Sequence, residues 1–267
     1  METGCRRAIL FLLFSPLFGT GFAQTETPVK VDKPLKSYSH WYFGAEYGVP
    51  FLFGDFTSFS ADKTYVGSQF GGFAGYQVNS WIGIEASART GYTRMGAKSY
   101  AGDYLMNADG MTYYTNQDFN TWKYKDVFSK VHFTNIGLQM NLNVNNFFGP
   151  NRGNRRWTVL LSPAVYAQHF STELINKADK SPLSGKKTDK WNIGIGGDVS
   201  LRYKISRAFD VQLRTGIIWV NNNKMDGIST LIKSKDHFMT SAGLSLIWKA
   251  SFSSSSVAGA AFAAAIA

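Results

Sequence analysis

From Lys190 to Ile205 apolar and polar residues alternate one for one. Trp191, Ile193, Ile195, Gly197, Val199, Leu201, Tyr203 and Ile205 hold one parity; Asn192, Gly194, Gly196, Asp198, Ser200, Arg202 and Lys204 hold the other. Successive side chains of a strand point to opposite faces, so this is an extended segment with one apolar face and one polar or glycine face. It is longer than the about 5–6 residues of an ordinary globular strand and satisfies the roughly 9–11 that a tilted strand needs to cross a bilayer. Trp191 and Tyr203 bracket the apolar parity, as expected of rings at two membrane interfaces. Lipid offers no partner to backbone N–H and C=O groups, so a strand in a membrane requires companions that close into a barrel.

Seven other segments carry the same pattern: His40–Val49, Gln69–Asn79, Trp81–Arg94, Val131–Asn145, Trp157–Gln168, Phe209–Val220 and His237–Trp248. The cleanest is Val131–Asn145, with Ile136, Leu138, Met140 and Leu142 set against Asn135, Gly137, Gln139 and Asn141. The least regular is Trp157–Gln168, where Leu160 and Tyr166 occupy the polar parity and Pro163, lacking a ladder donor, predicts a bulge. Trp81 is on the wrong parity and is assigned to its turn. Short connections (Asn79-Ser80, Asn146–Arg156, Ser206–Ala208) alternate with long polar ones, of which Met95–Lys130 and Asn221–Asp236 are examples. A connection as long as Met95–Lys130 is unusual in a compact soluble domain and ordinary in the outer loops of a barrel. The chain is therefore predicted to be all-β, an eight-stranded antiparallel up-and-down transmembrane β-barrel. An even strand count places both termini in the periplasm.

The ends fix the compartment. Arg6 and Arg7 precede an apolar run from Ala8 to Phe22, and Gly21-Phe22-Ala23 supplies a small-x-small cleavage site, so residues 1–23 are expected to be a secretory signal peptide. Residues 24–39, with Pro28 and Pro34, form a polar periplasmic lead-in, 40–248 the barrel, and 249–267 a Ser- and Ala-rich tail. No room is expected for a peptidoglycan-binding domain. The only cysteine, Cys5, leaves with the signal, which excludes disulfides, thiol nucleophiles and thiolate metal sites from the mature chain. The formal net charge of +10 falls to +9 with the loss of Arg6, Arg7 and Glu2. A basic exported protein suits anionic lipid phosphates; no nucleic-acid motif is present, and no nucleic-acid partner is expected.

Eight amphipathic strands behind a signal, with Phe70-Gly71-Gly72-Phe73-Ala74-Gly75-Tyr76 and the asparagine-rich Asn135–Asn145, resemble the OmpA-like and porin-like small barrels of Gram-negative bacteria, in the style of their Bacteroidetes branch. The last strand resembles the insertion signal of that family, with Trp248 as its terminal aromatic, although the tail beyond Lys249 departs from it. The resemblance implies location in the outer membrane.

The polar parity would line the lumen, putting Glu46, Glu85, Arg89, Gln139, Asp198, Arg202, Asp210 and Arg214 inside. An eight-stranded barrel is just wide enough for its own side chains, and buried charges must pair. A salt-bridged plug is the expected outcome; an ion path gated by a breakable Glu–Arg pair, as the family resemblance suggests, is the alternative. Trp41, Trp157 and Trp248 at one end and Trp191 and Trp219 at the other form the expected aromatic girdle. His169-Phe170-Ser171 resembles the His-x-Ser of lipid A deacylases, also eight-stranded barrels with a His–Ser–acid triad; Glu173 shares its parity, but a triad acid must approach from another direction. No catalytic residue is assigned on this basis. The loop lysines Lys123, Lys125, Lys130, Lys177, Lys180, Lys186, Lys187, Lys224, Lys233 and Lys235 lie where lipopolysaccharide phosphates sit, and Tyr100, Tyr104, Tyr113, Tyr114 and Tyr124 offer a surface for an extracellular protein or ligand. His40, His132, His169 and His237 lack metal-site spacing, so no metal or cofactor is expected, and the protein is expected to be a monomer.

Overall fold

The computed structural model describes residues 39–98, 105–113, 121–146, 155–183, 188–221, 225–230 and 237–250. The expected signal peptide, nearly all of the lead-in and the tail from residue 251 lie outside them, as do Tyr100, Tyr104, Tyr114, Lys186, Lys187, Lys224, Lys233 and Lys235.

Eight long strands form the wall: β1 (His40–Phe53), β2 (Ser68–Gln77), β3 (Ile82–Ala97), β4 (Val127–Asn143), β5 (Trp157–Asn176), β6 (Thr188–Lys204), β7 (Phe209–Val220) and β8 (His237–Ala250). Each pairs antiparallel with the next, and β8 closes onto β1 in unbroken register from Trp41↔Ala250 to Phe53↔Phe238. The ring leaves no free edge, which is what lipid demands of a sheet.

The direction of the side chains decides what kind of barrel this is. Within β6, Ile193 is 74% exposed while Asp198 is 1% exposed. Ile136, Leu138, Val165, Leu213, Leu244 and Leu246 also face outward on neighbouring strands, and Arg89 faces inward. A soluble barrel with a greasy interior would show the reverse. At roughly 3.3 Å per residue and about 40° of tilt, the run from Trp191 to Tyr203 rises about 30 Å, close to the ~25 Å apolar band of a transmembrane barrel. Aromatic pairs rim the band. At the short-turn end Trp41 meets Tyr76 (ring centroids 5.1 Å), Phe43 stacks on Trp248 (6.0 Å) and Trp157 meets Tyr203 (4.5 Å). At the long-loop end Trp191 meets His169 (5.0 Å) and Trp219 meets Phe238 (6.3 Å).

Two local expectations are corrected. Pro163 makes no bulge: β5 keeps one register with β4 on either side of it, and only the pairings around Met140 and Asn141 are missing from the ladder. The proline withholds its donor without inserting a residue. Several strands also run beyond their expected ends at the long-loop side, β1 to Phe53, β3 to Ala97 and β5 to Asn176, while β4 begins at Val127. There the amphipathic sense reverses. Arg94, Lys130 and Glu173 are on the outer parity, and Leu52, Met95, Val131, Phe133, Phe170 and Leu174 are packed inside. Above the lipid the wall meets water on its outside, so it adopts the inside-out logic of a soluble barrel. Phe56, Met106, Val220, Met225, Ile228 and Met239 complete this apolar plug. Each fully buried side chain of this size contributes about 1.5–3 kcal/mol. Over it lies a small sheet, Leu105–Asn107, Met111–Tyr113, Thr121–Lys123 and Ser229–Thr230.

Replacing Leu138, at mid-band, by arginine is expected to lower stability by about 2–4 kcal/mol, whereas arginine at Ile205, beyond the girdle, costs about 0–1 kcal/mol. Urea unfolding of the barrel in lipid vesicles, followed by tryptophan fluorescence, measures both.

Candidate functional site

The lumen at mid-height is built by long charged side chains set opposite very small ones. In the strand register Glu46 faces Gly71 and Ser245, Glu85 faces Gly75, Asp198 faces Gly216, and Arg214 faces Gly243. Three of these glycines leave no room for a Cβ: one on Gly71 would lie 2.5 Å from the Ala88 carbonyl oxygen. A Cβ on Gly216 would lie 1.8 Å from Asp198 Oδ1, and one on Gly75 would enter the Tyr42 ring at 2.2 Å.

Into that space the charges converge from four strands. Arg89 donates to Asp198 at 3.1 Å and forms an ion pair with Glu46 at 3.3 Å. Arg214 donates to Glu85 at 2.8 Å and forms ion pairs with Glu46 at 3.4 Å and Asp198 at 3.9 Å. None of the five is more than 6% exposed. Glu85 also accepts from the Tyr42 hydroxyl (3.0 Å), Gln139 Nε2 (2.9 Å) and Asn141 Nδ2 (3.0 Å). Asn141 in turn accepts from the Ser162 hydroxyl at 2.6 Å, and the Ser245 hydroxyl reaches Glu46 at 3.3 Å. Arg202 lies over the Tyr42 ring at 5.0 Å and donates Nε–H to Gln212 at 2.8 Å. Arg214 lies over the Phe73 ring at 4.8 Å. Two guanidinium groups thus meet three carboxylates, and the hydrogen bonds that Glu85 and Glu46 accept from Tyr42, Gln139, Asn141 and Ser245 offset part of the desolvation that ion pairing alone would not.

Of the eight lumen residues expected from sequence, Glu46, Glu85, Arg89, Asp198 and Arg214 meet in one ion cluster with Gln139 as a donor to it. Arg202 sits one layer toward the short-turn end. Asp210 is not in the cluster but pairs with Lys249 at 2.7 Å at the mouth. That mouth is a polar vestibule of about 190 Å³ lined by residues that include Asn143, Asn145, Asn146, Arg155 and Thr158. Asn141, expected on the lumen parity, belongs to the network, and so do Tyr42, Phe73, Ser162 and Ser245, which the sequence does not mark as partners of the charges. All lie on inward parities, but nothing in an isolated sequence says which inward residue stands level with a charge across the barrel.

At the long-loop end two of the residues expected to be on display, Lys177 and Tyr124, are tied into the structure. The Lys177 ammonium is held by Asp62 (2.8 Å) and the Lys125 carbonyl (2.7 Å). Tyr124 packs edge-on against Phe56 and donates to the Asp55 carbonyl at 2.9 Å. Lys123, Lys125 and Lys180 remain exposed. Burial would raise the Asp62 carboxyl, but hydrogen bonds from Lys177 and Ser60 outweigh it and hold the group below its ordinary range. His169 Nε2 engages Asp189 Oδ1 on β6, not Ser171. In register Asp189 stands opposite Ser171, and Trp191 opposite His169, all toward the outside of the wall.

No family model and no curated protein matches this chain. Solved structures with a similar chain path are outer-membrane proteins. Neisserial surface protein A is 12% identical with a TM-score of 0.44, covering 79% of this chain and 97% of that one. Ail, the attachment invasion locus protein of Yersinia pestis, in complex with the heparin analogue sucrose octasulfate, is 10% identical with a TM-score of 0.44, covering 79% and 99%. OprG from Pseudomonas aeruginosa is 10% identical with a TM-score of 0.41, covering 82% and 100%. The likeness is one of fold alone.

Arg214→Met leaves Glu46, Glu85 and Asp198 under-neutralised and is expected to cost about 3–5 kcal/mol, whereas Asp62→Asn at the partly exposed rim costs less than about 1 kcal/mol. Because the folded Asp62 carboxyl is depressed, its small contribution is present above the ordinary carboxylate pKa of about 4 and is lost only as pH falls through the folded value. Urea midpoints of the heat-modifiable gel band, compared at neutral pH and near pH 3, check both statements.

Proposed function

We propose that this chain is an integral outer-membrane β-barrel of the OmpA-like kind, closed to solutes, that stabilises the envelope and presents its long loops to lipopolysaccharide and to an extracellular partner. The observation that carries this reading is the filling of the lumen at two heights, by the ion cluster around Arg89 and Arg214 and by the apolar plug around Phe133 and Phe170. A conducting path would have to break both. Breaking the cluster strands buried charge, and opening the plug exposes a hydrophobic core; each costs several kcal/mol. With the interior occupied, the wall and the loops are the surfaces left to act. Placing the short turns and both termini in the periplasm sets Lys123, Lys125 and Lys180 at the level of lipopolysaccharide phosphates, where each lysine contributes on the order of 1 kcal/mol.

Planar-bilayer recordings on purified folded protein test closure. No discrete conductance steps are expected from the wild type. Regular steps of uniform size would overturn the closed reading in favour of a narrow pore.

One observation favours a second reading, a lipid A-modifying hydrolase. The acid that a His-x-Ser pair lacks in sequence is supplied from the neighbouring strand, where Asp189 bonds His169. A His–acid couple beside a serine on the outer wall is the arrangement that deprotonates a hydroxyl nucleophile. Against it, the structure puts no hydrogen bond between His169 and Ser171, which ranks it second. Mass spectra of lipid A from cells overproducing the protein are expected to be unchanged. Loss of an acyl chain that disappears with Ser171→Ala would reverse the order of the two readings.

A further inference from the structure

Inside the plug, three side chains able to bind a metal meet from separate segments. Asp55 follows β1, Asp226 lies in the β7–β8 connection, and His237 is the first residue of β8. One ligand atom from each lies within 4.8 Å of the others. Asp226 and His237 are fully buried, with His237 Nε2 at 3.2 Å from Asp226 Oδ2. The carboxylate is oriented by backbone donors: the Phe56 N–H bonds Oδ2 at 3.0 Å and the Ile228 N–H bonds Oδ1 at 3.0 Å. The Ser129 hydroxyl fixes the Asp226 carbonyl at 2.7 Å, and the Tyr124 hydroxyl fixes that of Asp55 at 2.9 Å. Room for the group is kept by Gly54, since a Cβ there would lie 2.0 Å from His237 Cδ2 and 2.9 Å from Asp226 Oδ2.

We propose that Asp55, Asp226 and His237 bind a first-row divalent cation of the zinc or manganese type. Ligands about 2.0–2.1 Å from a tetrahedral ion stand roughly 3.3 Å from one another, the spacing already present between His237 Nε2 and Asp226 Oδ2. An imidazole among the donors selects against calcium and magnesium, which prefer oxygen throughout. Asp226 is fully buried and Asp55 half-buried, and a divalent cation between two carboxylates this close attracts both. Their hydrogen bonds to the backbone are the outer support that ligating carboxylates commonly have. The competing arrangement is a direct ion pair, with the Nε2 proton occupying the place of the metal. Proton and metal therefore exclude one another at that nitrogen. A bound ion would tie the end of β1 to the start of β8 and to the connection before it, clamping the seam at which the barrel closes.

Full-length protein, refolded in detergent and stripped with a chelator, is titrated with Co²⁺ and then Zn²⁺. The expected result is one equivalent of Co²⁺ per barrel with a visible d–d absorption, displacement by Zn²⁺, and survival of the heat-modifiable band to a higher temperature with Zn²⁺ than with chelator. Asp55→Asn, which leaves the His237–Asp226 pair in place, is expected to weaken Zn²⁺ binding at least about tenfold. His237→Gln should abolish the Co²⁺ band where it folds, and Asp55→Asn carries the test where it does not. His169→Ala removes the imidazole on the outer wall and should leave binding unchanged. Absence of stoichiometric uptake by the folded wild type, full uptake by Asp55→Asn, or loss of uptake with His169→Ala overturns the proposal. None of these outcomes bears on whether the lumen conducts.

Discussion

The ladder between β8 and β1 is the contact from which the rest of the architecture follows. In lipid each unpaired backbone amide costs several kcal/mol, so the sheet has to end on itself. Closing at eight strands leaves an interior with room for side chains and little else. What fills that interior is then set by packing and charge. At mid-height long residues face glycine, as Asp198 faces Gly216 and Glu46 faces Gly71. Carboxylates must find guanidinium groups within the same layer, as Glu85 and Glu46 do with Arg214.

The two heights of the lumen solve the same filling problem under different conditions. At membrane level the outer parity is apolar because it faces acyl chains, and the inner parity is polar. A segment apolar on both faces would have no stable form in the aqueous compartment that the chain crosses before insertion. Above the membrane the outer parity meets water, so the apolar residues move inside and form a conventional core. The switch falls at different residues on different strands, near Phe133 on β4 and Phe170 on β5.

That switch explains what was legible in the sequence and what was not. Strand number, order and facing were readable because eight segments alternate with the same sense over a bilayer's thickness. The loop-side ends of β3, β4 and β5 were not, because there alternation continues with its sense inverted. Val131 and Phe133 look like disorder in a pattern that puts grease on the other parity, and Phe170 between His169 and Ser171 looks like the start of a loop. Inward-facing charges were likewise readable one strand at a time. Their partnership was not, since Arg89 and Asp198, or Glu85 and Arg214, are joined across the barrel and not along any hairpin. The cluster of Asp55, Asp226 and His237 is a further case: Asp226 and His237 flank one connection, but Asp55 comes from the far end of the chain, at the close of β1.

Cross-barrel pairing also bears on how such a chain reaches one structure. A hairpin of β6 and β7 holds Asp198 and Arg214, but the shortest contacts those residues make are with Arg89 and Glu85 on β3. Until the ring closes, these groups keep their water; once it closes, they are dehydrated together and must find every partner at once. A one-residue slip of β6 would turn Asp198 toward lipid and Ile193 and Ile195 into the lumen, paying twice for the same slip. The cluster therefore contributes little through raw attraction, since buried ion pairs often do no more than recover their desolvation. Its larger effect is to make incorrect closures expensive, which gives the ring of strands a single register.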